Sequence, residues 1–328
     1  MKKFLVWVSF VFVLGSAAAQ EAQPINETIV HDPVMIQQDG TYYIFCTGHG
    51  ISVFSSKDMK NWTRQKPVFA TPPTWATGVA ADFKDHIWAP DISFHNGQYY
   101  LYYSVSSFAK NTSAIGVATN KTLNPADANF KWEDHGIVVQ SVPNRDLWNA
   151  IDPNLVYDEN NTPWLTFGSF WDGLKMVKLT ADLLTVAEPE EWYTVARRER
   201  SFKLEDKDPG DAALEAPFVF KKDGYYYMFL SWDYCCRGEN STYKVVVGRS
   251  QNVHGPFIDA SGKDLNQGGG TLVIEGNKNW AGVGHNSTYT FNGKDYLVFH
   301  AYEIAKKGRP VLTIKEITWE NGWPKVAP

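Results

Sequence analysis

One short phrase recurs five times along the chain, and few folds accommodate such a repeat. Asp32-Pro33-Val34-Met35-Ile36 is followed by Asp39-Gly40 and then by Tyr42-Tyr43-Ile44-Phe45. The phrase returns as Ala89-Pro90-Asp91-Ile92 with Asn96-Gly97 and Tyr99-Tyr100-Leu101, and as Ala216-Pro217-Phe218-Val219 with Asp223-Gly224 and Tyr225-Tyr226-Tyr227. In these three copies the glycine stands seven residues after the proline. Asp152-Pro153-Asn154-Leu155 is a weaker copy with a longer turn, and His285-Asn286-Ser287-Thr288 a fifth, with Asn286 in the proline slot and Gly293 seven residues on. Each copy reads as a β-hairpin: an apolar strand, a turn at residues that tolerate positive φ, and a second strand rich in aromatic and β-branched side chains. The anchors at 33, 90, 153, 217 and 286 lie 57 to 69 residues apart, enough for four strands and their loops. The pattern predicts an all-β chain folded as a five-bladed β-propeller, in which radial packing buries both faces of each small sheet. A two-sheet sandwich gives no reason for five equal phrases.

Ahead of the repeat, Lys2 and Lys3 precede an apolar run from Phe4 to Leu14 and the small residues Ala17-Ala18-Ala19. This reads as a signal peptide over residues 1–19, too short to span a bilayer, with residues 20–328 left as one exported domain, periplasmic or extracellular. A formal charge of −5 without a later basic run argues against nucleic acid as a partner, and no later segment is suited to membrane insertion. The three cysteines are odd in number and two are adjacent, so a disulfide framework is not expected. Buried thiols are preferred over a bridge between neighbours Cys235 and Cys236. A monomer is expected.

The repeat also brings distant acids to one place. Asp32 and Asp152 precede the strand-opening proline in copies one and three, Glu215 stands two before it in copy four, and His285 takes the matching slot in copy five. Equivalent positions of a propeller converge at one mouth of its channel. An Asp before Pro is often only a turn former, but three carboxyl groups and a His at matched positions imply a shared purpose. Hydrolysis of a glycosidic bond needs a protonated acid on the leaving oxygen and an ionised carboxylate for water or sugar, and crowding of like charges helps create that division. Asp91, which follows its proline, reads as structural; Asp172 and Asp233 read as turn residues.

His31-Asp32-Pro33, Trp88-Ala89-Pro90-Asp91, Asn149-Ala150-Ile151-Asp152-Pro153, Gly168-Ser169-Phe170-Trp171-Asp172-Gly173, Glu215-Ala216-Pro217 and Gly284-His285-Asn286-Ser287 together resemble the ordered motifs of glycoside hydrolase family 43. The stretch from Ser231 through Cys235-Cys236-Arg237-Gly238 to Tyr243 resembles the endo-α-1,5-L-arabinanases within it. The resemblance implies a propeller that hydrolyses internal bonds of arabinan, or of arabino-oligosaccharides, with inversion. Asp32 would be the general base, Glu215 the general acid, and Asp152 the residue that raises the acid's pKa and orients it. It also implies a calcium ion on the propeller axis with His285 as its protein ligand, and no organic cofactor. Substrate contacts would fall to Trp88, Phe108, Gly116, Asn149, Ala150, Ile151, Ser169, Phe170 and Trp171. Gly116 is expected to open the cleft floor and Phe108 to stack on a sugar.

Two rivals are weighed against this. An exo-acting α-L-arabinofuranosidase or β-xylosidase of the same family would use the same acids. A non-catalytic sugar-binding propeller would repeat one chemistry in every blade, whereas the five slots here hold Asp32, Ala89, Asp152, Ala216 and His285.

Overall fold

The computed structural model describes residues 28–327, so the proposed signal peptide lies outside the described residues. Five antiparallel sheets follow one another along the chain. Their first strands are Val34–Gln38, His86–His95, Asn154–Tyr157, Leu214–Lys222 and Trp280–Phe291. Each pairs with the next strand in a meander of four, and the second sheet gains a fifth strand from Gly48–His49. This is the five-bladed propeller that the repeat predicts. No helix among the described residues is long and apolar enough to cross a membrane.

The runs of adjacent aromatics follow from where the blades sit. Successive side chains of a strand point to opposite faces, and a blade between two neighbours must be apolar on both. In the second strand of blade two, Tyr99, Leu101 and Tyr103 pack toward blade one, while Tyr100 and Tyr102 pack toward blade three. Tyr226 and Met228 likewise face blade three, and Tyr227 and Phe229 face blade five. Five such cores exist, one per interface. The fifth joins Met35 and Ile44 of the first blade to Val298, Leu312 and Ile314 of the last and so closes the ring. Each buried ring of this kind contributes roughly 1.5–3 kcal/mol, which explains why a chain with 15% aromatic residues holds together without disulfides between blades.

Polar clamps near the axis fix the inner strands to one another. Asp91 accepts the Leu155 N–H at 2.8 Å, Asn154 Oδ1 accepts the Val219 N–H at 2.8 Å, and Ser287 donates to the Pro33 carbonyl at 2.9 Å. Asp91 is thus a blade-to-blade fastener, as its place after the proline suggests. Asp172 pairs with Lys175 and Arg197, and Asp233 with Arg198 and Lys244.

The cysteines depart from expectation. Cys46 is a buried thiol, but Cys235 and Cys236 are bonded to each other. Their loop lies at the rim, where Cys236 is exposed, so burial does not keep the two thiols apart and inert as the sequence reading supposed.

Candidate active site

The five repeat slots share one backbone feature: Asp32, Ala89, Asp152, Ala216 and His285 all have positive φ, between 39° and 58°. Such a conformation is uncommon for residues other than glycine. In three blades it is visibly a β-bulge. Ala89 and Pro90 together oppose Tyr103, Ala216 and Pro217 oppose Leu230, and His285 and Asn286 oppose Phe299. A bulge re-aims side chains and leaves its extra residue out of the ladder, which is why a proline, having no N–H to lose, suits the second position.

The first bulge residue does have an N–H, and the preceding blade accepts it. Ala89 donates to Thr47 Oγ1 at 2.8 Å, Asp152 to Ser104 Oγ at 3.1 Å, His285 to Ser231 Oγ at 2.8 Å and Asp32 to His300 Nδ1 at 3.1 Å. All four acceptors stand seven residues after a hairpin glycine. Register places Gly168 at this position in blade three. Lacking a side chain there, the chain gives the Ala216 N–H to the Asp152 carboxylate instead, at 3.2 Å. The exception ties Asp152 to the residue beside Glu215.

Asp32 lies in a nest of donors. Its Oδ1 is 2.9 Å from His31 Nδ1 and 3.0 Å from His285 Nδ1, and its Oδ2 accepts from the Thr47 hydroxyl. Burial by itself would raise its pKa, but His285 and His31 outweigh that and hold the carboxylate well below the usual range. Asp152 shows the opposite balance. Burial, with Glu215 and Asp32 nearby, holds its proton well above the usual range against the pull of His285 and the Ala216 N–H. Glu215 is half-buried, and each of its oxygens accepts one hydroxyl: Oε2 from Ser169 at 2.7 Å and Oε1 from Tyr243 at 2.8 Å. His285 is partly buried, and desolvation disfavours its charge, yet Asp32, Asp152 and Glu215 push its pKa up to about 9. Three carboxyl groups and a histidine from four blades therefore share one electrostatic site, which pushes the pKa of Asp32 down and that of Asp152 up.

This arrangement belongs to a chain whose residues 22–324 match the profile of glycosyl hydrolases family 43. The chain is a member of that family. Among its relatives, an extracellular exo-α-(1→5)-L-arabinofuranosidase of Cellvibrio japonicus is 53% identical over 98% of this chain and 92% of its own length. An extracellular endo-α-(1→5)-L-arabinanase of Bacillus subtilis is 40% identical over 98% of this chain and 97% of its own. The solved structure of Cellvibrio cellulosa α-L-arabinanase complexed with arabinohexaose superposes with a TM-score of 0.91 at 55% identity, covering 92% of this chain and 96% of that one.

Within this family 43 site the expected sugar contacts divide. Trp88 lies near the start of the inner strand of blade two and donates its indole N–H to His86 Nδ1 at 3.0 Å. Phe108 is 75% exposed on the loop that follows Gln98–Val105, free of the core. Phe170 is half-buried beside Tyr234, and Ser169 reaches Glu215 directly. Asn149 and Ile151 are buried beside Asp152, and Asn149 Oδ1 has no hydrogen-bond partner.

Three of the expected contacts are packed away from solvent. Gly116 lies in the third strand of blade two, where an added Cβ would come within 2.6 Å of Trp75 and 2.7 Å of Tyr103, so its missing side chain makes room for those rings. Trp171 is 2% exposed and donates to the Asp206 carbonyl, pinning the loop that leads to blade four. Ala150 is wholly buried, its N–H held by Ser141.

Sequence reasoning missed Thr47, Tyr243, His300 and Tyr302. For Thr47 and His300 a signal existed: a polar residue seven after each hairpin glycine interrupts an otherwise apolar strand. Tyr243 and Tyr302 carry no such mark, because tyrosines are common throughout the core.

Proposed function

We propose that the chain hydrolyses the α-1,5-L-arabinofuranosidic bonds of arabinan with inversion at the anomeric carbon, and that it is exported to do so. The observation that carries this reading is the convergence of Asp32, Asp152 and Glu215 from three blades around His285, with the pKa of Asp32 held down by its histidines and that of Asp152 held up by burial. Asp32 acts as general base, its oxygens aligned by His31, His285 and Thr47 so that a lone pair is left for water. Glu215 acts as general acid because it alone of the pair is half-exposed toward the mouth, while Asp152 is buried. The Ser169 and Tyr243 hydroxyls hold the Glu215 carboxyl group in place. Glu215 gives its proton to the leaving oxygen, and Asp152, bonded to the Ala216 N–H next to it, orients it. The absence of a covalent step makes the product inverted.

The residues present also suit a calcium ion at His285. Its Nδ1 faces Asp32, its Nε2 has no hydrogen-bond partner among the described residues, and the acidic surroundings that lift its pKa, Asp32 first among them, would equally favour a cation. When bound, calcium supplies positive charge at the axis. His31, Asp32 and His300 also bring donor atoms together, but their facing atoms are committed to hydrogen bonds. With a single histidine as protein ligand, water would complete the coordination that calcium requires.

Cleavage of internal bonds is the mode expected from the Cys235–Arg237 stretch. Release from chain ends is the second reading, favoured by the exo-acting relative at 53% identity. Digestion of linear arabinan tests both: a ladder of oligosaccharides at the earliest times supports the first, and a single short product from the outset supports the second. No hydrolysis of arabinan, with turnover of xylan or another glycan instead, would overturn the substrate. Proton NMR of the first product anomer tests inversion. Glu215→Gln and Asp32→Asn are each expected to remove nearly all turnover with the circular dichroism of the fold retained.

A further inference from the structure

Behind Asp32, His31 is joined by His300 and Tyr302, which the hydrolytic reading does not use, and hydrogen counting assigns the ring and hydroxyl protons of the three. The Asp32 backbone N–H donates to His300 Nδ1 at 3.1 Å. A backbone amide can only donate, so this nitrogen is an acceptor, and the His300 proton sits on Nε2. His300 is fully buried, and burial beside His31 holds it well below its ordinary pKa, consistent with a neutral ring. His300 Nε2–H therefore donates to the Tyr302 oxygen at 3.2 Å. The Cys236 backbone N–H donates to the same oxygen at 2.8 Å.

A phenolic oxygen has two lone pairs and one hydrogen, so these two donors occupy its acceptor capacity. His31 Nε2, 2.6 Å from that oxygen, must then be the acceptor of the Tyr302 O–H. With Nε2 accepting, the His31 proton is on Nδ1, which points at Asp32 Oδ1 from 2.9 Å. The sequence of donors closes on itself: Asp32 N–H to His300, His300 to Tyr302, Tyr302 to His31, and His31 to the Asp32 carboxylate.

We infer that His300, Tyr302 and His31 form a closed, one-directional hydrogen-bond circuit that positions Asp32, with Tyr302 as the residue that relays its direction to His31. The stacked rings of His31 and His300, 3.9 Å apart, give the circuit a rigid frame. Tyr302 touches neither Asp32 nor the axis, so it is a positioning residue. It acts by forcing His31 into the tautomer that donates to the carboxylate. Cys236, on the rim loop, is the one contributor from blade four and ties that loop to the circuit through its backbone.

The inference rests on Asp32 serving as the base, and its test separates the two. The imidazole ¹⁵N–¹H correlation spectrum of the full chain, assigned with single histidine variants, is expected to show His300 as the Nε2–H tautomer and His31 as the Nδ1–H tautomer. No substrate is needed for this measurement. Either ring in the other tautomer would overturn the circuit and leave the hydrolytic reading standing. Correct tautomers in a protein inactive on arabinan would support the circuit and remove that reading.

Tyr302→Phe is then compared with wild type on the glycan that is turned over. It is expected to release His31 from the single Nδ1–H tautomer and to lower kcat at least tenfold with KM within twofold. A folded Tyr302→Phe that keeps wild-type kcat and an unchanged His31 tautomer would refute the positioning role, whatever its melting temperature.

Discussion

Replacing Asp91 by asparagine tests whether acids beside the axis divide into fasteners and catalysts. Asp91 is 3% exposed, and burial pushes its pKa up to about 6 in spite of the Leu155 and Asn154 donors. A carboxyl raised from its ordinary value near 3.8 binds its proton more tightly folded than unfolded. Its contribution to stability is therefore complete below about pH 4, declines as pH rises and is lost above about 6. At 1.36 kcal/mol per pH unit, the loss between pH 4 and pH 7 is roughly 2 to 3 kcal/mol. Asp91→Asn cannot titrate. It keeps one acceptor for the Leu155 N–H and sets its own NH₂ against that of Asn154, a pH-independent cost of about 1 kcal/mol. The quantity to measure is the stability of wild type minus that of the variant, by urea unfolding at pH 4 and pH 7, which cancels the other titrating groups. The difference should move against wild type by roughly 2 to 3 kcal/mol between the two pH values, or about 4 °C in Tm for a chain of this size. The variant's kcat should stay within about twofold. A difference that is flat with pH would refute the burial argument, and a collapse of turnover in folded variant would place Asp91 among the reacting groups.

The remaining expectations concern the site. Thr47→Val removes the donor to Asp32 Oδ2 and orphans the buried Ala89 N–H, so kcat should fall about ten- to hundredfold with a loss of roughly 2 kcal/mol in stability, both largely restored in Thr47→Ser. Phe108→Ala, at a residue outside the core, should raise KM for arabinan several-fold with Tm unchanged within about 1 °C; an unaltered KM would exclude Phe108 from substrate contact. Calorimetric titration with calcium after chelation should show one site in wild type and none in His285→Ala, and equal binding by the two would remove His285 from the ion.

The repeat made the fold legible because its physical cause is local. A proline at a bulge, a glycine turn and a strand apolar on both faces recur wherever a blade must fit between two others, and each is written in a few consecutive residues. The same regularity exposed Asp32, Asp152, Glu215 and His285, since departures from a repeat stand out against it. The burial of Gly116, Ala150 and Trp171 was not legible, because nearness in sequence to a motif says nothing of which way a strand faces. Trp171 follows Phe170 and Ser169, yet its indole turns inward to Asp206.

The amino-acid order alone determined the number of blades and the kind of chemistry at their centre, for both follow from periodicity and residue type. Only the folded molecule decided which acid has its pKa pushed down and which nitrogen of each histidine carries a proton. Those states depend on burial and on partners as distant as Asp32 and Tyr302, and no stretch of chain encodes a dielectric or a donor that another blade supplies.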